Sequence, residues 1–130
     1  MNAMRIILVD DSGDFVGALK DFLGLHPLLE VLAVAHSGAE ALELYEQLKP
    51  DAVVADLKME KMDGLELTRL LKAKPDPPRV VMVSLHNRKF YEQAAREVGA
   101  DGYVSKYEVA KVLVPLLLKL HGAGEVGRAG

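Results

Sequence analysis

A doubly wound α/β sandwich, with five parallel strands covered by helices on both faces, is the fold class this sequence predicts. Three observations predict it. Short apolar runs rich in β-branched residues alternate with segments of helical periodicity, five times along the chain. The first run, Arg5-Ile6-Ile7-Leu8-Val9, is apolar and mostly β-branched from Ile6 to Val9 without alternation, as in a strand buried on both faces. The polar residues gather where these runs end: Asp10 and Asp11 after the first, Asp56 after the third, Ser84 closing the fourth and Lys106 following the fifth. With 130 residues, half of them hydrophobic, the chain holds one domain with a real core and is too short for two.

Each element has its own signal. After the first strand, Phe15, Leu19, Phe22 and Leu23 recur at helical spacing from Asp14, and Gly24 with Pro27 breaks the pattern. Glu30 to Ala35 is the second strand. Ser37 with Glu40 three residues on is a capping pair, ahead of a helix through Ala41, Leu42, Tyr45 and Leu48 that ends near Pro50. Ala52 to Ala55 is the third strand. The loop after Asp56 ends in Asp63-Gly64, and a third helix runs through Leu65, Leu67, Leu70 and Leu71 until Pro75, Pro77 and Pro78 stop it. Arg79 to Ser84 is the fourth strand, Arg88 to Val98 the fourth helix, Gly102 to Ser105 the fifth strand and Glu108 to Leu120 the fifth helix. The domain therefore spans 1–121, and the glycine-rich 122–130 is expected as a flexible tail or the start of a linker.

Composition removes several classes of function. Sixteen Lys and Arg against nineteen Asp and Glu leave a net charge of −3, and no basic block appears, so direct nucleic-acid binding by this chain is not expected. No cysteine is present, which excludes disulfides, thiolate zinc sites and cysteine nucleophiles and fits a reducing compartment. The longest apolar stretch, Val112 to Leu118, is far below the roughly 20 residues that cross a bilayer. The N-terminal run is too short for a signal peptide, so a cytoplasmic location without membrane association is expected. His26, His36, His86 and His121 have no mutual spacing of a metal cluster.

Ligands of doubly wound sheets bind outside the carboxyl ends of the strands, where Asp10, Asp11, Asp56, Ser84 and Lys106 converge. Three carboxylates at one edge repel each other unless a cation sits between them. Mg²⁺ takes oxygen ligands from a few carboxylates and keeps exchangeable waters. With Lys106 as a movable cation and Ser84 as a hydroxyl donor, the set describes a site for phosphoryl transfer.

Val9-Asp10-Asp11, Asp56-Leu57-Lys58-Met59 with Met62-Asp63-Gly64, Ser84, and Gly99-Ala100-Asp101-Gly102-Tyr103-Val104-Ser105-Lys106 together resemble the receiver domain of two-component response regulators. The resemblance covers nearly the whole chain. It implies a CheY-like, flavodoxin-like (βα)5 fold with strand order 2-1-3-4-5. It also implies that Asp56 accepts a phosphoryl group from a histidine kinase or phosphotransfer protein, making the chain a signalling receiver rather than an enzyme acting on a separate substrate. In that family Asp11, Asp56 and the backbone carbonyl of Lys58 would bind Mg²⁺, and Asp10 would act through a metal-bound water. Lys106 would pair with the phosphoryl oxygens, Ser84 would hydrogen-bond one of them, and Tyr103 would be the aromatic switch.

The sequence departs from the family at two places: Glu60 stands where Pro is usual, and Leu85 where Ala or Gly is usual. Leu85, Lys58 and His86 are expected at the mouth of the site, with Lys58 either reaching over the phosphoryl oxygens or pointing into solvent. A pseudo-receiver that keeps the fold without phosphorylation is the first alternative function. A dehalogenase-type phosphatase would want a second Asp where Lys58 stands, and a nucleotide binder would want a Gly-rich loop in place of Asp11-Ser12-Gly13-Asp14. On the fifth helix, Val114 and Leu118 are an apolar pair beyond those needed to cover the sheet. They point to self-association through helix four, strand five and helix five.

Overall fold

The computed structural model describes residues 2–85 and 89–129, with side chains through Gly122. Its elements run β1 (Met4–Val9), α1 (Gly13–Gly24), β2 (Leu29–Ala35), α2 (Gly38–Leu48), β3 (Ala52–Asp56), α3 (Gly64–Lys72), β4 (Arg79–Ser84), α4 (Lys89–Glu97), β5 (Gly102–Ser105) and α5 (Val109–Ala129), with a 3-10 turn at Lys106–Glu108. All strand pairs are parallel and the sheet order is β2-β1-β3-β4-β5. The expected doubly wound architecture and strand order are therefore present.

The two periodicities build the two faces. Successive residues of β1 point to opposite sides of the sheet. Ile6 and Leu8 join Val16, Leu19 and Leu23 of α1 and Leu113 and Leu117 of α5 in one core. Ile7 and Val9 join Ala41 and Tyr45 of α2 and Leu67 and Leu71 of α3 in the other. Both are needed, which is why Ile6 to Val9 of β1 run apolar without a break up to Asp10. A smaller cluster of Leu57, Met82 and Ala95 seats α4, with Tyr91 and Tyr103 packed beside it.

Local chemistry sets the helix starts. The Ser37 hydroxyl accepts from the Glu40 N–H at 3.1 Å, the cap expected from the sequence, while the Glu40 carboxylate reaches one residue past the cap and accepts from the His36 N–H at 2.6 Å. Asp63 caps α3 by accepting from the Glu66 N–H at 2.9 Å. At the other edge of the sheet, Asp101 accepts from Lys72 at 2.9 Å and from the Val80 N–H at 2.8 Å, tying the end of α3 and the start of β4 to the approach to β5.

Two expectations for the last helix change. It begins one residue later than Glu108, behind the 3-10 turn, and continues past Leu120 to Ala129 through Pro115. Val114 and Leu118 are not surplus surface. Both are half-buried against the α1/α5 core, because the helix lies close enough to the sheet to wrap a wider apolar stripe than two turns at minimum spacing. The exposed apolar side chains near that face are instead Phe90, Tyr107 and Val112. Among the described residues no helix is long and apolar enough to cross a membrane.

Candidate functional site

The carboxyl ends of β1 and β3 bring three carboxylates together. β1 pairs with β3 as far as Val9 opposite Ala55, so Asp10 and Asp56 stand at the same level on adjacent strands. Carboxylate oxygens of Asp10, Asp11 and Asp56 lie within 4.8 Å of one another. Asp10 and Asp56 are buried, and Asp11 faces solvent.

Close approach of α3 requires Gly64: a Cβ there would run into the backbone carbonyl of Asp56 and the Met82 side chain. The Gly64 N–H instead donates to the Leu57 carbonyl at 2.9 Å, which draws the loop after Asp56 into a tight return.

Lys106 supplies the countercharge. Its ammonium is 3.0 Å from Asp10 and 3.5 Å from Asp56, and it also lies 4.2 Å from the centre of the Phe15 ring in the first turn of α1. The other oxygen of Asp10 accepts from the Ser12 N–H at 2.7 Å, fixing that carboxylate at the entrance to α1. Burial pushes the Asp56 carboxyl above the usual carboxylate range, and the neighbouring Asp10 charge adds to the rise. Lys106 and a hydrogen bond from the Lys58 N–H pull the other way.

The remaining expected residues divide. Ser84 is fully buried at the end of β4, where it pairs with Ser105 of β5, one step beyond the Val83 that pairs with Asp56. Tyr103 is half-buried on β5 beside α4 and lines a cavity of about 150 Å³ with Glu92, Ala95 and Arg96. Leu85, the residue after Ser84, is exposed. Glu60, in the position where the family's Pro is missing, is exposed and shares with Asp11, His36 and Lys61 a cleft of about 360 Å³ beside the cluster. The Lys58 side chain is exposed and turned away from the carboxylates, with its ammonium over the Tyr91 ring of α4. His86 lies outside the described residues, as does Arg88, the expected start of α4.

Sequence reasoning missed Phe15 and Tyr91, the two rings on which the site's lysines rest. The one available signal for Phe15 was its place four residues after Asp11, at the sheet edge where the carboxylates gather.

The donor set is all oxygen, anionic and open on the Asp11 side, which fits a hard divalent cation. A buried, partly desolvated carboxylate with a lysine against it suits a nucleophile whose product carries added negative charge.

A family model described as the response regulator receiver domain matches residues 6–117. Among curated proteins, the transcriptional regulatory protein DegU of Brevibacillus brevis is 34% identical over 114 residues, covering 87% of this chain and 48% of that protein. A protein-glutamate methylesterase/protein-glutamine glutaminase of Geobacillus kaustophilus is 41% identical over 109 residues, covering 82% of this chain and 31% of that protein. The chain thus spans less than half the length of either relative. Among solved structures, the response regulator domain of Thermotoga maritima CheB aligns with a TM-score of 0.81 at 30% identity, over 94% of this chain and 96% of that one. A LuxR-family two-component response regulator from Aurantimonas aligns with a TM-score of 0.86 at 31% identity, over 93% and 87%.

Proposed function

Because the chain belongs to the response regulator receiver domain family, we propose that it is a cytoplasmic phosphoacceptor switch, charged on Asp56 by a histidine kinase or phosphotransfer protein. The observation that carries this reading is the meeting of Asp10, Asp11 and Asp56 with Lys106 at one sheet edge. The cluster's closeness also weighs against a pseudo-receiver, in which nothing would maintain so much like charge in one place.

Asp56 needs no general base, because a carboxylate is ionised at neutral pH and Lys106 opposes the burial that would neutralise it. One Asp56 oxygen attacks phosphorus in line while the bond to the donor's imidazole nitrogen breaks and the electron pair leaves with that nitrogen. Asp11, Asp56 and the Lys58 backbone carbonyl are the residues that would hold Mg²⁺, with Asp10 acting through water. Bound there, the ion supplies positive charge against the transferring group. Lys106 follows the new oxygens away from Asp10, its ammonium moving on a flexible stem. Ser84, buried one residue beyond the level of Asp56, donates its hydroxyl to a phosphoryl oxygen, and Tyr103 turns into the space this opens. The surface of α4, β5 and α5 then changes, and its exposed Phe90, Tyr107 and Val112 offer apolar area for a second copy in the phosphorylated state.

Incubation with acetyl phosphate and Mg²⁺, followed by intact mass measurement, is expected to give one phosphoryl adduct that Asp56→Asn abolishes. An adduct that survives that substitution overturns the assignment. Absence of any adduct favours the pseudo-receiver.

A further inference from the structure

Lys58 stands beside the acidic cluster without joining it. Its backbone N–H donates to the Asp56 carboxylate, yet its ammonium lies 5.0 Å from the centre of the Tyr91 ring on α4. Among the described residues, Lys106 is the one cation within salt-bridge distance of Asp10 or Asp56. An exposed ammonium two positions from Asp56, one of three converging carboxylates, is drawn toward them by charge. The face of an aromatic ring is a competing attraction of similar size at a solvated site. Tyr91 is well placed to compete. It packs against the cluster of Leu57, Met82 and Ala95, and its ring meets Phe90 edge-on, with centroids 5.3 Å apart. The ring is held, and the lysine stem is free to swing.

We infer that Tyr91 is a positioning residue that holds the Lys58 ammonium off the phosphoacceptor site. Through it, α4 sets how strongly the site attracts a divalent cation and how long Asp56 keeps a phosphoryl group. The inference rests on the reading of Asp56 as phosphoacceptor. With the ring present, the mouth between Lys58 and Leu85 stays open to donor and water. With the ring removed, the ammonium turns to the carboxylates. There it competes with Mg²⁺ in the unmodified protein and pairs with phosphoryl oxygens in the modified one, where it also stands in the path of the attacking water.

The test compares wild type, Tyr91→Leu and Tyr91→Phe, and repeats Tyr91→Leu in a Lys58→Gln background. Mg²⁺ affinity is measured by calorimetry and decay of phospho-Asp56 by intact mass. Tyr91→Leu is expected to weaken Mg²⁺ binding and lengthen the phosphorylated lifetime, each about two- to fivefold, the range an exposed cation–π contact corresponds to. Tyr91→Phe keeps the ring face and leaves both near wild type. In the Lys58→Gln background Tyr91→Leu changes neither. An equal effect of Tyr91→Leu with and without Lys58 overturns the inference, because a merely structural role of the ring would act in both. So does no effect with Lys58 present.

Ring-current shifts give a reading independent of the chemistry. The Lys58 ε-methylene protons are expected upfield in wild type and Tyr91→Phe, and at their ordinary position in Tyr91→Leu. An ordinary position in wild type overturns the inference whether or not Asp56 is phosphorylated. Failure of Asp56 to take an adduct while the shift and the Mg²⁺ effect persist overturns the proposed function and supports the clamp.

Discussion

Asp56 is a carboxylate whose ionised form the fold disfavours: burial first, and Asp10 second, raise its carboxyl above the ordinary range. A raised carboxyl binds its proton more tightly folded than unfolded, so stability is retained below the unfolded value and declines as pH rises through the folded one. Asp56→Asn removes the charge and keeps the shape. In the presence of a chelator it is expected to raise Tm at pH 7, with the gain shrinking toward pH 3; thermal scans across pH check this. Mg²⁺ is expected to reverse the order by stabilising wild type and not the variant, by about 2.7 kcal/mol at a hundredfold excess over its Kd.

Glu46 shows the opposite sign. Lys74 and then Lys49 hold its carboxyl down to about 2, so its small contribution is present above the usual 4.5 and lost as pH falls toward about 2. A carboxyl-detected NMR titration is expected to find that midpoint, and Lys74→Ala to move it back upward. The acidic residues were legible because each ends a strand, where an apolar run stops on a charge. Phe15 and Tyr91 were not, because an aromatic at helical spacing is indistinguishable from core until the reach of a lysine stem is known.

At the scale of elements, the units of alternating periodicity were readable, and their ends were not. Strand limits differ by a residue where flanking polar groups still complete a ladder, as with Met4 and Leu29, which pair with each other at the start of β1 and β2. The fate of Val114 and Leu118 depended on how deeply α5 settles on the sheet, which spacing alone does not encode. That depth makes α5 a stabilising element: Leu113 and Leu117 are fully buried. Leu113→Ala is expected to cost about 2–5 kcal/mol in urea unfolding. The start of α3 is constrained differently. Gly64→Ala forces a methyl against the Asp56 carbonyl and Met82, and is expected to cost about 1–3 kcal/mol and to slow adduct formation by shifting the Asp56 backbone. Acetyl phosphate labelling of the folded fraction separates the two effects.

For the whole molecule, class and site location followed from the sequence, because a parallel sheet with helical crossovers places every strand's carboxyl end on one edge. The strand neighbours were legible through the family resemblance and not through order along the chain: β1 sits between β2 and β3, and β5 closes the far side. The Lys106 to Asp10 pair therefore joins residues 96 positions apart. That separation has a consequence in time. On the ribosome the carboxylates of β1 and β3 emerge first, and Lys106 follows Asp56 by roughly 3–10 s at ordinary elongation rates. Ribosome-bound chains stopped at Ala100 are expected to take no label from acetyl phosphate, whereas chains released with α5 take it; gel analysis of the two pools decides. With Asp56 as the proposed phosphoacceptor, a half-made copy is expected to register no signal, and a count of charged molecules would then be a count of chains made through Lys106.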